Sequence, residues 1–300
     1  MPPILVVGRQ GQVATDLVAA GARAGVPIAA LGRPDLDLTE ADSIARAIDR
    51  IAPAAVLNAA AYTAVDRAES EPDLAFAVNR DGPAALARLC AGARLPLIHL
   101  STDQVFDGRK AGAHTEADRP NPLCAYGRSK WAGETAVLEA HPDALVIRVS
   151  WVFGPSGDNF VTKLLGWART RETLAIVSDQ RGRPTYSPAL ADALLALAGR
   201  MIGGGADRPH GLLHLAGADA MTRDRQAHAA MAASAARGGP AARMVPILTR
   251  DFRTPAARPL NAELDPSLAA ARYGVRLGPF ADDLAATLDR LLGPPLEARP

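Results

Sequence analysis

The stretch ILVVGRQGQVATDL, residues 4–17, joins an apolar run to an amphipathic segment through a turn of small residues. Gly8, Gly11 and Ala14 fall in a GxxGxxA spacing at this turn. Small residues let the backbone approach a pyrophosphate closely, and the N-terminus of the following helix supplies N–H donors and a positive dipole. Gly8 alone could be only a strand-end turn. Before the first helix of the chain, however, the spacing predicts a dinucleotide-binding turn.

Short apolar runs alternate with longer amphipathic ones downstream of this turn. Buried parallel strands are predicted at 4–8, 27–31, 54–60, 96–101 and 144–150. Helices are predicted at 12–24, 39–51, 72–93 and 124–140, with Thr39 as the N-cap of the second helix. This alternation predicts an α/β fold with a Rossmann-type doubly wound parallel sheet.

The pattern loosens after residue 150. A helix is predicted at 158–170, a strand at 174–179, a helix at 187–201 and a strand at 211–217. We expect the last two to pack back on the sheet. The sequence thus predicts a nucleotide-binding domain, 1–150 with 180–217, and a smaller C-terminal α/β substrate-binding domain, 151–179 and 218–300.

Composition excludes several classes of protein. The chain has 300 residues, is 48% hydrophobic and 22% charged, and has a net charge of +1 without a basic or acidic block. This predicts an ordinary globular protein without nucleic-acid or membrane partners. Two cysteines, Cys90 and Cys124, form neither a disulfide framework nor metal-ligand spacing. We therefore expect a cytoplasmic location.

The end of the second predicted strand, LGRPDLDL at 31–38, bears on the choice of cofactor. An acid at this place holds the ribose of NAD, whereas an arginine accommodates the 2′-phosphate of NADP. Arg33 stands where the acid is expected, which favours NADPH, with NADH as the alternative. Asp37 is expected to face the adenine ring with Leu38 against it. Asp35 could instead pair with Arg33 and leave the choice open.

The segment NAAAYTAVD, 58–66, follows the third predicted strand. Ala59, Ala60 and Ala61 are small enough for the chain to run along a cofactor. Tyr62, Thr63 and Val65 are then expected to point into the cleft.

Tyr126 and Lys130 lie four residues apart in NPLCAYGRSKWAGE, 121–134, so on a helix they share a face. Only three of the 33 basic residues are lysines, yet the residue four after Tyr126 is one of them. An ammonium close to a phenol lowers its pKa, and such a phenol can exchange a proton with a carbonyl oxygen. The pair therefore indicates redox chemistry between a hydroxyl and a ketone.

These pieces, in this order, resemble the extended short-chain dehydrogenase/reductases. The resemblance rests on segments spread over nearly the whole chain: GRQGQVATDL at 8–17, VLNAAAYTAVDRAESEP at 56–72, HLSTDQVFDG at 99–108, YGRSK at 126–130, RVSWVFG at 148–154, DQRGRPT at 179–185 and TPAARPLNAEL at 254–264. Within that family the likeness is to enzymes that reduce 4-ketosugar nucleotides. It implies NADPH-dependent reduction of the C4 ketone of dTDP-6-deoxy-L-lyxo-4-hexulose to dTDP-L-rhamnose.

The resemblance also implies roles for individual residues. Thr102, Tyr126 and Lys130 are expected to be catalytic. Asp103 and Trp151 are expected to contact the sugar nucleotide, and Arg258 its phosphates or base. The residues expected around the cofactor are Gly11, Gln12, Val13, Asp37, Leu38, Ala61, Tyr62 and Thr63.

Departures from the family pattern leave alternatives open. Gln104 stands where the family has Tyr, and Gln10 replaces a small residue before the second glycine. Some relatives bind magnesium at a dimer interface, but SPALA at 187–191 offers no carboxylate, so no metal is predicted. A sugar-nucleotide epimerase or dehydratase is one alternative function, although the dehydratase Glu after Asp103 is missing. A non-catalytic NADP-binding regulatory subunit is another. A homodimer is a possibility that the sequence leaves open.

Overall fold

A computed structural model describes residues 2–205 and 207–296 and has a parallel sheet at its centre. The described strands are β1 Ile4–Val7, β2 Ile28–Leu31, β3 Ala55–Asn58, β4 Leu97–Thr102, β5 Leu145–Val149, β6 Val152–Phe153, β7 Thr173–Val177, β8 Arg181–Gly182, β9 Thr185–Tyr186, β10 Gly211–Leu215, β11 Met221–Thr222 and β12 Arg243–Ile247. The described α-helices are α1 Gln12–Ala24, α2 Ala41–Ile51, α3 Pro72–Phe76, α4 Gly82–Gly92, α5 Ala125–Ala140, α6 Phe160–Ala168, α7 Ser187–Gly203, α8 Arg223–Ala235, α9 Ser267–Tyr273 and α10 Phe280–Leu292.

The six-stranded sheet has the order β10-β5-β4-β3-β1-β2, with parallel pairing throughout. The order reverses at β1, whose neighbours are β2 and β3. Loops that leave β1 and β3 therefore diverge at the carboxyl ends of the strands and open a crevice there. The predicted α/β fold class is confirmed.

The strands are apolar throughout because both faces of the sheet are covered. In β1, Ile4 and Val6 join one core cluster, whereas Leu5 and Val7 join the cluster on the opposite face. The first cluster packs against α1 and α7, and the second against α2 and α4. Burial on both faces therefore fixes the positions of the strand ends that carry the candidate site.

The part of the chain after β9 returns to the sheet. Helix α7 packs on α1, and β10 pairs with β5 as a further parallel strand. The intervening and later elements build a smaller lobe in which β7 pairs with β12, and α6, α8 and α10 surround them. Its core includes Phe153, Leu164, Leu174 and Leu284.

The predicted helix at 72–93 is interrupted. The structure has α3, then a π-helical turn at Ala77–Asp81, then α4. Pro83 lacks the N–H that would bond to residue 79 in an uninterrupted α-helix, and a π turn accommodates that loss. The interruption directs Asn79 toward α5, where its amide donates to Ser129 Oγ at 2.9 Å.

None of the helices in the described ranges is long and apolar enough to cross a membrane. The segment PPLEARP at 294–300, which the sequence predicts to be a frayed tail, lies partly outside the described residues.

Candidate active site

A cavity of about 810 Å³ opens at the carboxyl ends of β1, β3, β4 and β5, where the sheet meets the smaller lobe. Most of the sequence-predicted site residues line it. They are Gly8, Gly11, Gln12, Val13, Arg33, Ala59, Ala60, Ala61, Thr63, Thr102, Asp103, Tyr126, Lys130, Trp151 and Arg258. The fold thus brings together residues that are up to 250 positions apart in the chain.

Four predicted residues lie outside the lining of this cavity. The Asp37 carboxylate accepts from the Thr39 backbone N–H at 2.9 Å, a bond that holds the pKa of Asp37 below its usual value. Leu38 is buried in the core beside α2. The Tyr62 phenol donates to Glu71 at 2.5 Å instead of pointing into the cleft, and Val65 packs against the cluster that contains Tyr126.

The glycine turn before α1 has the geometry that a dinucleotide needs. Gly8 has φ +119°, a conformation that favours glycine, and a Cβ there would lie 3.4 Å from the Ala59 carbonyl carbon. Gly11 caps α1 without a side-chain hydrogen bond, so the first N–H groups of the helix remain available for an anion. In the described part of the chain, the buried Gln12 Nε2 has no hydrogen-bond partner. These features fit a bound pyrophosphate.

Arg33 lies at the adenosine end expected from the strand pattern. Arg33 lines the cavity, and its charge lowers the pKa of the Asp37 carboxyl, although less than the hydrogen bond from the Thr39 backbone does. The Asp35 carboxylate accepts from Arg9 at 3.2 Å, in an exposed ion pair. The alternative in which Asp35 engages Arg33 is therefore not what the structure shows.

Thr102 ends β4 and begins the short 3-10 turn at Asp103–Val105. Its hydroxyl donates to the Asp103 carboxylate at 2.9 Å and accepts from the Gln104 backbone N–H at 3.2 Å. Burial raises the pKa of Asp103 to about 6, against hydrogen bonds from Thr102 and Ser150 and the charge of Arg223. The pair therefore offers a fixed hydroxyl beside a buried carboxylate in the cavity wall.

Tyr126 lies in the first turn of α5, behind an N-cap at which Cys124 Sγ accepts from the Gly127 N–H at 3.4 Å. Burial raises the pKa of Tyr126, and a hydrogen bond with Thr102 acts in the opposite direction. The sequence predicts a lowered pKa for this phenol through the charge of Lys130, whereas desolvation, which favours the neutral phenol, sets the net direction of the shift. Tyr126 consequently stays protonated at neutral pH, which is the form that can donate a proton.

Lys130 is buried, and residues of strand β4 hold its ammonium group. Its ammonium donates to the Leu100 carbonyl oxygen at 2.7 Å and lies 3.4 Å from His99 Nε2. The other ring nitrogen of His99 lies 3.0 Å from the Asn58 amide. Burial lowers the pKa of Lys130 to about 8, partly offset by the charge of Glu134. Sequence reasoning missed His99 and Asn58, because polar residues inside apolar strands look like ordinary core positions.

A buried ion pair lies beneath this turn of α5. Arg148 donates to both oxygens of Glu134 at 2.8 and 2.6 Å, and Ser101 donates to Glu134 at 2.5 Å. Breaking such a pair leaves an uncompensated buried charge, which is strongly destabilising. This ion pair therefore fixes α5 against the ends of β4 and β5.

Arg223, the first residue of α8, is the most consequential cavity residue that sequence reasoning missed. Its guanidinium carbon lies 3.4 Å from the centroid of the Trp151 ring. Trp151 itself has φ +47°, which is rare for a bulky residue. The segment MTRD at 221–224 has no motif that would have marked Arg223, since only the fold brings α8 to the cavity.

Other lining residues were also not predicted as site residues: Arg9, Gln10, Leu100, Ser101, Gln104, Val149, Val152, Gly157, Asp158, Gln180, Pro259 and Ala262. Gln104, a departure from the family pattern, accepts a weak hydrogen bond from the Cys124 thiol at 3.6 Å.

The chain matches, over residues 1–292, the family model described as the RmlD substrate binding domain. It is 41% identical over 274 residues to the dTDP-4-dehydrorhamnose reductase of Sinorhizobium fredii. The matched region covers 91% of this chain and 92% of that protein. The reductase of the same name from Streptomyces griseus is 39% identical over 89% of this chain and 86% of its own.

Solved structures show the same likeness. The dTDP-4-dehydrorhamnose reductase from Bacillus anthracis, in complex with NADP, has a TM-score of 0.88 and 26% identity, over 96% of this chain and 98% of that chain. The sequence resemblance, the sheet order and the cavity thus agree with one another, and the chain belongs to the dTDP-4-dehydrorhamnose reductase family, the family of the RmlD substrate binding domain.

Proposed function

We propose that this protein is an NADPH-dependent oxidoreductase of dTDP-rhamnose biosynthesis. It reduces the C4 ketone of dTDP-6-deoxy-L-lyxo-4-hexulose, also called dTDP-4-dehydrorhamnose, to dTDP-L-rhamnose. The observation that carries the proposal is the convergence of Thr102, Tyr126 and Lys130 on one cavity that also contains the glycine turn. Relatives that match about nine-tenths of the chain are reductases by name.

The proton step belongs to Tyr126. Bound NADPH would supply the hydride for the C4 carbon. Tyr126 donates its proton to the carbonyl oxygen, and its buried, protonated phenol suits that role. Thr102 orients the same oxygen by a hydrogen bond, for which its hydroxyl proton turns from the Asp103 carboxylate to the substrate oxygen.

Lys130 positions the reacting groups. Its ammonium has three N–H donors, one of which is used by the Leu100 carbonyl oxygen. The remaining donors suit the hydroxyls of the nicotinamide ribose. An ammonium with a pKa near 8 also helps to return a proton to Tyr126 after turnover.

The cofactor is assigned to the glycine turn and the strand ends beside it. Gly8, Gly11, Gln12 and Val13 receive the pyrophosphate, and Arg33 receives the 2′-phosphate. The small side chains Ala59, Ala60 and Ala61, followed by Thr63, allow close approach along the third strand. Asp37, Leu38 and Tyr62 act indirectly in this scheme, by shaping the loops that carry Arg33 and Thr63.

The sugar nucleotide is assigned to the rest of the cavity. Asp103 and Trp151 contact the sugar, and Arg258 lies toward the phosphates. The Arg258 guanidinium is held by Asp66 at 3.0 Å. Residues 1–150 with 180–217 form the cofactor-binding domain in this scheme, and 151–179 with 218–300 the substrate-binding domain.

A cytoplasmic homodimer is the assembly that we propose. Both cysteines are free, which suits a reducing compartment. Leu74 and Trp131 are exposed by 46% and 37% on α3 and α5, two helices that pack together. Light scattering on the wild type and on Trp131→Glu tests this face, and a wild-type monomer would refute it.

Substrate reduction is tested directly by following NADPH oxidation with dTDP-linked and GDP-linked 4-ketosugars. The proposal expects turnover with the dTDP-linked 6-deoxy-4-hexulose and identification of dTDP-L-rhamnose by NMR. A tightly held NAD in the purified protein, together with loss of water from a sugar nucleotide, would instead support a dehydratase. Absence of hydride transfer to any ketosugar would support a regulatory subunit.

A further inference from the structure

Arg223 is held in the cavity wall by two aromatic rings. Its guanidinium carbon lies 3.4 Å from the centroid of Trp151 and 4.6 Å from the centroid of Phe160. A guanidinium stacks well on aromatic faces, and this removes rotational freedom from a long side chain. A Cβ added to Gly182 would collide with the same indole, so the position of Trp151 is fixed as well.

The guanidinium has donors to spare. Nη1 donates to Gln226 Oε1 at 2.8 Å, and the Arg223 backbone N–H donates to the Gln180 carbonyl oxygen at 2.9 Å. Among the described residues, no carboxylate oxygen lies within 4.0 Å of this guanidinium, the distance limit for an ion pair. An arginine has five N–H donors, so most of them remain for a ligand in the cavity. Leaving a cation poorly solvated without a partner is costly, which argues against a purely structural role.

The position of Arg223 identifies the part of the ligand that it meets. It is electrostatically coupled to Asp103, whose carboxylate accepts from the catalytic Thr102 hydroxyl. The sugar ring has to lie at this place for its carbonyl to reach Thr102 and Tyr126. A phosphate here would be repelled by Asp103, whereas a neutral hydroxyl can accept from Arg223 and donate to Asp103.

We infer that Arg223 is a specificity-determining residue that donates hydrogen bonds to hydroxyl oxygens of the substrate sugar. The inference rests on the proposed function, since it takes a sugar nucleotide as the ligand. Arg223 and Asp103 together present a donor and an acceptor to the ring, which suits a hexose with neighbouring hydroxyls. Trp151 is then a support for Arg223 as well as a wall of the pocket.

The test compares binding of a nucleotide with and without its sugar. Calorimetry measures the Kd of dTDP-L-rhamnose and of dTDP for the full chain, the Arg223→Met variant and the Arg225→Met variant. Arg225 is exposed on the same helix and serves as the control. Arg223→Met should raise the Kd of dTDP-L-rhamnose by about ten-fold or more, the size expected for hydrogen bonds to a charged group. It should leave the Kd of dTDP and of NADPH within about two-fold, and Arg225→Met should change none of them.

Other results would overturn the inference. A parallel rise in the Kd of dTDP would place the guanidinium on the pyrophosphate. Unchanged binding of dTDP-L-rhamnose with a lower Tm would make Arg223 structural. If Arg223→Met does not fold, Arg223→Lys, which keeps the charge but loses the planar fork, should still weaken dTDP-L-rhamnose selectively. The binding ratio does not require turnover, so an inactive wild type refutes the proposed function separately.

Discussion

Tyr126 and Lys130 show how burial acts on two groups of opposite charge type. Desolvation favours the neutral form of each, so it raises the pKa of the phenol and lowers the pKa of the ammonium. The sequence pattern predicts that the charge of Lys130 lowers the pKa of Tyr126. The observed hydrogen bond from Lys130 to Leu100 shows instead that the lysine is anchored in the strand below.

Removal of the Tyr126 hydroxyl tests the proton donor. Tyr126→Phe keeps the ring and its packing, so we expect an intact fold and a kcat lower by roughly 10²–10⁴, the range for a general acid. Steady-state kinetics with the dTDP-ketosugar and a circular dichroism melt provide the two readouts. Near-wild-type turnover would remove Tyr126 from the mechanism.

At pH values above its pKa, the ionised Asp103 carboxylate should lower the free energy of unfolding. Its folded-state pKa of about 6 lies above the ordinary value of 3.8 for an aspartate, and this net shift already includes the attraction of Arg223. The penalty is therefore absent below the unfolded-state pKa, grows between the two values and is complete above the folded-state pKa. We expect Asp103→Asn to increase the free energy of unfolding by on the order of 1–3 kcal/mol at about pH 7.5, and much less at about pH 4.

Thermal unfolding of both proteins at the two pH values measures this difference. Asp49→Asn, at an exposed position on α2, is the control for the chemical change from carboxylate to amide. A gain for Asp103→Asn that is equal at both pH values would contradict the ionisation argument.

Arg33 bears on the choice between NADPH and NADH. A charge-assisted contact with the 2′-phosphate corresponds to roughly 10- to 150-fold in affinity. Arg33→Ala should therefore raise the KM of NADPH by about that factor and leave the KM of NADH nearly unchanged. Arg50→Ala, at an exposed position on α2, controls for the change in net charge. An unaltered ratio of NADPH to NADH preference would mean that Arg33 does not contact the phosphate.

Helix α5 is positioned by close contact with the π turn at Ala77–Asp81. A Cβ on Gly133 would collide with the Asn79 carbonyl oxygen. We expect Gly133→Ala to destabilise the protein by roughly 1–3 kcal/mol, the usual cost of overpacking, despite the better helix propensity of alanine. It should also reduce kcat, because Asn79 bonds Ser129, whose hydroxyl donates to the Tyr126 carbonyl oxygen at 2.8 Å.

Gly199→Ala is the matched helix control. Gly199 lies within α7, and nothing lies within 4 Å of a Cβ placed there. This substitution should stabilise the protein by roughly 0.5–1 kcal/mol. If Gly133→Ala also raises the midpoint of chemical denaturation, the contact between α5 and the π turn does not restrict residue 133.

Elements with strong periodicity could be predicted from the sequence, whereas those set by tertiary contacts could not. The apolar runs at 4–8 and 144–150 correspond to β1 and β5 within two residues at either end. Thr39 was expected to cap α2, but its hydroxyl donates to Asp37 at 2.8 Å and the helix begins at Ala41. The two-residue strands β8 and β11 pair with each other, and no run that short has a periodicity to read.

The same division applies to the candidate site. Residues in local motifs, such as Gly8 or Tyr126, could be placed because their spacing has a chemical reason. Tyr62 could not, because its direction depends on the hydrogen bond to Glu71. Arg223 could not either, since its neighbours Trp151 and Phe160 are distant in sequence and meet it only in the folded chain.

At the scale of the whole molecule, the sheet depends on a segment that the chain contributes late. Among the residues that the structure describes, the core cluster on the α1 face has 23 buried members, of which ten come from residues 1–150. A fragment of residues 1–150 would lack α7 and β10 and would expose the apolar side of α1. We expect this fragment to show no cooperative thermal transition by circular dichroism and to bind a hydrophobic dye. A sharp transition in the isolated fragment would show that it is an independent folding unit.

The pairing of β10 with β5 also has a consequence for synthesis in the cell. Strand β5 ends at Val149 and β10 ends at Leu215. At a translation rate of about 5–20 residues per second, the ~65 residues between them emerge over roughly 3–13 seconds. During that interval the nascent chain has an open strand edge and a helix without its partner, so this is the period in which chaperones on the ribosome would have the most to protect.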